Sequence, residues 1–392
     1  MKKKKLSGVL LSLMLSTTLI VGCSGGEKSS GSGSSGDTIK VGANLELSGG
    51  VASYGQSIAE GLELALEEIN KEGIDGKKIE LVKVDNKSDA AEATSGAIKL
   101  INQDKVVAVI GAATSTNTIA QVQVAQDSKI PLITPTGTNP AITNQDGKLN
   151  DFIFRTCFID PFQGTVAANF ASDDLKVKNA AVLIDSSSDY AKGLAASFKE
   201  AFEAKGGAIV AEEAYVAKDT DFRATLTRIK SANPDFVFLP GYYEEVGLIL
   251  KQAREVGIDV AFMGGDGWDS PKLAEIAGAD PLNNTFITNH YSSGDTDPKI
   301  QDFVKAFKAK YDDKSPDAFN ALGYDTAYFL ADAIERAGSA DPEKIQEALA
   351  ATEDLALVSG NLTLDENHDP IKSASILEYI NGTQEFKSTV AP

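Results

Sequence analysis

Histidine and cysteine are almost missing from this chain: two of each in 392 residues. Two histidines cannot build a His-rich metal site. Two cysteines exclude a zinc ribbon, a cluster held on four thiolates and a disulfide scaffold. Basic residues are also short, 37 Lys and Arg against 56 Asp and Glu, for a net charge of −19. A surface that acidic argues against a nucleic-acid partner, because phosphate binding needs a basic face. Catalytic signatures are lacking as well. Beyond its first 36 residues the chain has no Gly-x-Ser-x-Gly elbow, and it has no phosphate-binding Walker loop and no His-Glu-x-x-His. His290 stands at an expected crossing of the chain and reads as structural; His368, in Asn367–Pro370, reads as a turn residue. A Ser–His–Asp triad would need one of these two by chance.

What is present begins with an address. Four lysines at Lys2–Lys5 precede an apolar run over Leu6–Gly22, and the run ends at Ile20-Val21-Gly22-Cys23. A basic start and a short apolar centre make a secretory signal over residues 1–22. The ending resembles a bacterial lipoprotein box, which implies cleavage before a lipidated Cys23. Ser24–Gly36 is Gly or Ser at 11 of 13 positions. Residues 23–36 therefore read as a lipidated cysteine and a flexible tether, with a reach of roughly 20 Å. This tether contains a formal Gly-x-Gly-x-x-Gly match, rejected because no strand precedes it and no helix follows. Cleavage removes four lysines and no acids, lowering the charge from −19 to −23. A body so acidic does not adhere to an anionic bilayer by its own surface, so the anchor is the lipid. Cys157, in the apolar stretch Phe152–Ile159, reads as a buried inert thiol.

From Thr38 onward strands and helices alternate. Ile39–Leu45 reads as strand and Ser57–Glu72 as helix. Strands over Ile79–Val84, Val106–Ile110 and Ile130–Ile133 alternate with helices over Ala90–Asn102 and Thr116–Gln126. The beat restarts after Asp160 with helices at Phe162–Ala171, Tyr190–Lys205, Phe222–Ser231 and Glu244–Val256. Strands at Ala180–Ile184, Ala208–Ala214, Phe236–Leu239 and Val260–Met263 lie between them. Such alternation implies α/β architecture: two lobes, each a doubly wound parallel sheet covered by helices on both faces. Three further helices, Pro298–Tyr311, Phe319–Ala337 and Pro342–Ala350, must return to a lobe already built. A hairpin-like tail is expected from Leu362–Leu364 and Ile371–Ile380. Crossings near Cys157–Pro161, Asn289–Tyr291 and Val358–Asn361 would make a three-stranded hinge. The first lobe is then 37–157 with 290–358, and the second is 158–289 with 359–392.

Ligands of open α/β sheets bind beyond the carboxyl ends of the strands. Two loops there are rich in hydroxyls and lead into expected helices: Gly111–Asn117 (GAATSTN) and Thr134–Asn139 (TPTGTN). Helix N-termini attract anions, so Ser115 and Thr138 are candidates to bind a carboxylate, with N-capping as the plainer role. Tyr54 stands just ahead of a helix. In the second run the corresponding loops carry Tyr190, Tyr242 and then Asp266 with Trp268. Asp266 would pair with a cation, or else be a turn residue in Gly-Asp-Gly. Trp268 would crowd the pocket beside it, or else be a half-buried surface anchor. A zwitterion with an apolar side chain matches this layout.

Several segments in order, among them Val51–Gly55, Val109–Gly111, Ile133–Pro135, Phe154–Thr156, Gln163-Gly164, Gly241–Tyr243, Gln252–Arg254 and Phe262–Gly264, resemble the leucine/isoleucine/valine-binding protein family over Thr38–Ser388. These are type I periplasmic binding proteins, the extracytoplasmic receptors of ATP-driven amino-acid importers. The resemblance implies two lobes joined by three crossings with an amino acid clamped between them. It implies that Ser115 and Thr138 hold the ligand carboxylate and that the Thr136 carbonyl and Asp266 share the ammonium. Tyr54, Tyr190, Tyr242 and Phe319 would shape the side-chain pocket. The family often carries Glu where this chain has Asp266, one methylene shorter, and Trp268 adds bulk beside it. The resemblance further implies a non-enzymatic monomer without cofactor or metal, held at the cell membrane through Cys23, with permease and ATPase subunits as partners. Two other readings stay open on the residues alone: a sensor built on the same two lobes, and a lipid-anchored α/β enzyme.

Overall fold

The computed structural model describes residues 38–392; the signal, Cys23 and the Gly/Ser tether lie outside them. The described chain opens with β1 (Thr38–Leu45), α1 (Ala52–Ile69), β2 (Lys78–Asp85), α2 (Ala90–Lys99), β3 (Ala108–Gly111), α3 (Ser115–Ser128) and β4 (Leu132–Thr134). A small hairpin of β5 (Asn144–Gln145) and β6 (Lys148–Leu149) leads to β7 (Ile153–Arg155). A second run follows: α4 (Asp160–Asn169), β8 (Asn179–Asp185), α5 (Asp189–Ala204), β9 (Ala208–Tyr215), α6 (Arg223–Ser231), β10 (Phe236–Phe238), α7 (Tyr243–Glu255), β11 (Ala261–Gly264), α8 (Pro271–Ala277) and β12 (Thr285–Asn289). The chain closes with α9 (Pro298–Lys310), α10 (Ala318–Ala337), α11 (Pro342–Ala350), β13 (Leu355–Leu357), β14 (Gly360–Leu362), β15 (Ala374–Ile380) and β16 (Thr383–Val390).

The strands form two main sheets. One runs β2-β1-β3-β4-β7 and is parallel throughout. The other runs β16-β15-β12-β11-β10-β8-β9, parallel from β9 to β12, with β15 and β16 antiparallel at its end. Within the parallel parts both sheets place their first strand second in the order, so each has its switch point between its first and third strands. That is where an open α/β sheet leaves a crevice for a ligand. The short central strands AVIG, FVF and LIT are fully buried, as expected for strands covered on both faces.

Differences from the expected elements have local causes. Helix α1 starts at Ala52, five residues early, so Tyr54 lies in its first turn and not ahead of it. After Asn139 comes a single 3₁₀ turn, Pro140–Ile142, in place of a helix. The terminal hairpin is β15 with β16, joined by Asn381-Gly382 with both residues at positive φ, the two-residue turn that best matches strand twist. Leu364 and Pro370 share only one antiparallel bridge. Strands β7, β12 and β16 were not expected as strands.

The late helices return to the first sheet, where α10 lies along α1 and α11 along α10. Residues beyond β14 do the same. His368 stacks on Phe154 at 4.3 Å, Asn144 donates to Asn367 at 2.7 Å, and Asp369 pairs with Arg155 at 2.8 Å. The stretch 359–370, expected in the second lobe, thus packs beside β7 of the first sheet. The chain reaches β15 only after Lys372, whose Nζ donates to Thr156 O.

Helices α1 and α10 meet through paired glycines. A Cβ on Gly61 would stand 2.0 Å from Asn320 O, and one on Gly323 would stand 2.4 Å from Ile58 O. Both obstacles are backbone, so neither can turn aside. Gly61→Ala should therefore destabilise the protein by about 1–3 kcal/mol, read as a lower urea midpoint at unchanged slope. An unchanged midpoint would show that the two helices can separate at no cost.

Candidate functional site

Loops from the carboxyl ends of both sheets converge on a small, nearly filled cavity of about 10 Å³, lined by Tyr54, Ala113, Thr114, Ser115, Thr136, Tyr190, Tyr242, Asp266, Gly267 and Phe319. Seven of the nine expected ligand residues are among them.

The wall from the first sheet is built around Glu46, which directly follows β1. Its buried carboxylate accepts from Ala113 N (2.9 Å), Thr114 N (3.1 Å), Thr114 Oγ1 (2.8 Å) and Asn117 Nδ2 (2.9 Å). Four donors on one carboxylate fix the loop ahead of α3. Thr114 spends its hydroxyl on Glu46, and no side chain caps α3. The first bond of the helix ladder runs from Thr118 N to Thr114 O, so the N–H groups of Ser115, Thr116 and Asn117 have no acceptor within the helix. Ser115 Oγ accepts from Asn139 N at 3.2 Å. Thr136 donates its hydroxyl to Ala113 O at 2.7 Å, joining the two hydroxyl-rich loops. Arg155 underpins the second loop by donating to Gly137 O (2.6 Å) and Asn139 O (3.0 Å).

The opposite wall centres on Asp266, in the turn after β11. Asp266 Oδ1 accepts from Tyr190 O–H (3.0 Å) and Gln163 Nε2 (3.1 Å), and Oδ2 lies 3.0 Å from His290 Nε2. Gln163 is itself oriented, since its Oε1 accepts from Asp266 N (3.1 Å) and Thr288 Oγ1 (2.8 Å). Behind it lies Asp160, whose carboxyl burial pushes up to about 7.

Aromatic rings close the remaining sides. Tyr54 stacks on Phe319 with centroids 4.3 Å apart and meets Tyr242 edge-on at 5.7 Å. Tyr190 stacks on Tyr242 at 5.3 Å. Burial pushes the phenols of Tyr54, Tyr190 and Tyr242 up, so all three stay neutral. Tyr54 O–H donates to Gly267 O across the cleft, Ser53 Oγ lies 2.8 Å from Ser270 Oγ, and Asn139 Nδ2 donates to Asp189 O at 2.8 Å. These bonds connect the two walls directly, and the cleft is closed.

Two expected site residues stand elsewhere. Trp268 is fully buried, neither pocket wall nor surface anchor. Its indole N–H donates to Leu239 O at 2.9 Å, and its ring fills the space left by the missing side chain of Gly264. It supports the Asp266 turn from behind. Thr138 is also fully buried and does not line the cavity; Asn139, not Thr138, caps the following turn through Ala141 N. Glu46, Gln163, Gly267 and His290 were not foreseen as parts of the site. Of these only Glu46 carried a signal, a lone acid at a strand's carboxyl end.

Comparisons with known proteins agree with this architecture. A family model described as periplasmic binding protein matches residues 38–384. A leucine-, isoleucine-, valine-, threonine- and alanine-binding protein of Pseudomonas aeruginosa is 36% identical over 334 residues, 85% of this chain and 87% of its own. The Leu/Ile/Val-binding protein of Escherichia coli is 34% identical over 336 residues, 85% of this chain and 88% of its own. Among solved structures, a branched-chain amino-acid transporter substrate-binding protein of Streptococcus pneumoniae in complex with isoleucine is 40% identical. It superposes with a TM-score of 0.85 over 91% of this chain and 100% of that one. A leucine-binding protein of Thermotoga maritima gives 0.86 at 38% identity, over 90% and 99%. The chain thus belongs to the leucine/isoleucine/valine-binding family of periplasmic binding proteins.

Proposed function

We propose that the chain is the lipid-anchored receptor of an ATP-driven importer and binds a branched-chain amino acid. The observation that carries this reading is the polarity of the cavity. On one side lie the free N–H groups and hydroxyl of the α3 start, with Ser115. On the other lies the Asp266 carboxylate, and between them are the rings of Tyr54, Tyr190, Tyr242 and Phe319. The ligand carboxylate goes to the donors, its ammonium to Asp266 and the Thr136 carbonyl, and its apolar side chain to the rings. In this reading Thr138 holds the loop and does not touch ligand.

The two lobes are assigned as 38–156 with 291–370 and 158–289 with 374–392, joined at Cys157, at His290 and over 371–373. The last crossing departs from the expected Val358–Asn361, because residues 365–369 contact Asn144, Ile153 and Arg155. An amino acid binds to the first wall, the second lobe closes, and the bonds from Tyr54, Ser53 and Asn139 hold the closed form. That form docks on permease subunits, and the protein works as a monomer tethered through Cys23.

Calorimetry of the full chain against the twenty amino acids tests the reading, with leucine, isoleucine and valine expected to bind and the charged ones not. Asp266→Ala should cost at least about 2 kcal/mol, roughly thirty-fold in Kd, because the ligand ammonium is then buried unpaired; unchanged affinity refutes the role. Tyr54→Phe removes a closure bond and keeps the ring. It should weaken all ligands alike by about 1 kcal/mol, near five-fold, and a loss confined to one side-chain size would place the hydroxyl in the side-chain pocket. Cys23→Ala should move the protein from the membrane fraction of expressing cells to a soluble one; retention at the membrane would remove the lipid anchor from the proposal.

A further inference from the structure

His290 is buried, does not line the cavity and yet reaches the residue assigned to the ligand's ammonium. The proton positions around Asp266 follow from its neighbours. Gly267 N donates to Tyr190 Oη at 3.2 Å, so the Tyr190 hydrogen is free to point at Asp266 Oδ1. Gln163 has its carbonyl occupied by Asp266 N and Thr288, so its NH₂ faces Oδ1 as well. These two donors fill Oδ1, and the imidazole Nε2 lies 3.0 Å from Oδ2. A carboxylate offers only acceptor lone pairs, so with Asp266 as a carboxylate it is the imidazole nitrogen that carries the hydrogen.

The other ring nitrogen, Nδ1, is buried with no partner among the described residues. A proton there would be a charge without an acceptor, which burial strongly disfavours. Burial also holds the imidazole below its usual range, against the raising effect of Asp266 and Asp269, with Lys372 adding to the depression. The ring is stacked on Phe158 with centroids 3.6 Å apart. His290 follows β12 directly, and Phe158 lies between β7 and α4, so the stack joins two of the segments that pass between the sheets.

We propose that His290 is a positioning residue: a neutral Nε2–H, braced by Phe158 on the neighbouring crossing, fixes the Oδ2 edge of Asp266 so that the carboxylate meets the ligand at one orientation. This rests on the reading that Asp266 receives the ammonium. Because His290 touches no ligand atom, it sets the strength of the grip and not the choice of side chain.

The chain's having only two histidines makes the test direct, since His290→Gln identifies the ring signals by deletion. In ¹⁵N-labelled full-length protein, His290 should show the Nε2–H neutral tautomer from pH 5.5 to 8, and its signals should shift when leucine is added. His290→Leu should weaken leucine, isoleucine and valine by one common factor, about ten-fold, and His290→Gln, which retains a neutral N–H donor, should recover most of that loss. An Nδ1–H tautomer, a ring that titrates in this range, wild-type affinity in His290→Leu, or a Gln variant as weak as the Leu variant would each overturn the proposal. The ring spectrum is read on the unaltered protein, so it stands even if a variant fails to fold. If Asp266→Ala loses binding and His290→Leu does not, only the positioning role fails; if Asp266→Ala binds normally, the ligand reading itself has failed.

Discussion

A carboxylate taken out of water has to be surrounded by donors, and that requirement organises both walls of the cleft. Leaving such a charge unpaired costs several kcal/mol. Glu46 meets the requirement with three donors from the loop ahead of α3 and one, Asn117, from the first turn of that helix. Asp266 meets it with Tyr190, Gln163 and His290, drawn from α5, α4 and the segment after β12. Each acid therefore assembles its wall: the loops take their shape because the charges need N–H and O–H groups around them. The two are not equivalent. Glu46 does not line the cavity and its donors belong to the protein alone, so its work is structural. Asp266 does line it, and in the proposed complex its charge takes one more donor, the ligand's ammonium.

Closure follows from the same economy of hydrogen bonds. Three of the four rings that face the cavity are neutral phenols, and Tyr54 uses its hydroxyl twice, donating to Gly267 O and accepting from Tyr243 N. One side chain from α1 thus holds two segments of the opposite wall. These bonds form among groups that water would satisfy in an open cleft, so each contributes only about 0.5–1.5 kcal/mol net. Such modest terms keep opening accessible, and they leave to the ligand the larger share of the energy that holds the lobes together.

The periodic parts of the fold were legible in the sequence. Helices α5, α7, α10 and α11 lie within three residues of their expected bounds at either end, because a 3.6-residue apolar stripe between turn residues has few other solutions. Strands β7 and β12 were not legible because their identity comes from pairing with β4 and β11. The β15–β16 turn was legible in Asn381-Gly382 and was overlooked. At the site, the residues at strand ends could be read because topology puts ligands there. Gln163 and His290 could not, since their link to Asp266 spans 103 and 24 positions and is made only when α4 and β12 pack together. Trp268 was misplaced for a related reason: adjacency to Asp266 suggested a shared pocket, but a tight turn sends neighbouring side chains to opposite sides, and the indole went to the core with its N–H satisfied by Leu239.

The choice of Asp over Glu at 266 fits this packing. A longer side chain would carry its carboxylate away from Tyr190, Gln163 and His290 or force those three to retreat, and two of them are fixed by further bonds. Gln163 is held by Thr288, and His290 is pressed against Phe158. A Cβ on the preceding Gly265 would stand 2.5 Å from both Gln163 Oε1 and Tyr190 Oη, so the turn already approaches its donors as closely as backbone allows. The shorter acid is thus matched to a backbone brought forward by glycine, and the distance from charge to ligand is kept by the turn and not by the side chain. In the proposed reading, selectivity among apolar ligands is left to the rings, whose positions depend on stacking across the cleft and not on Asp266.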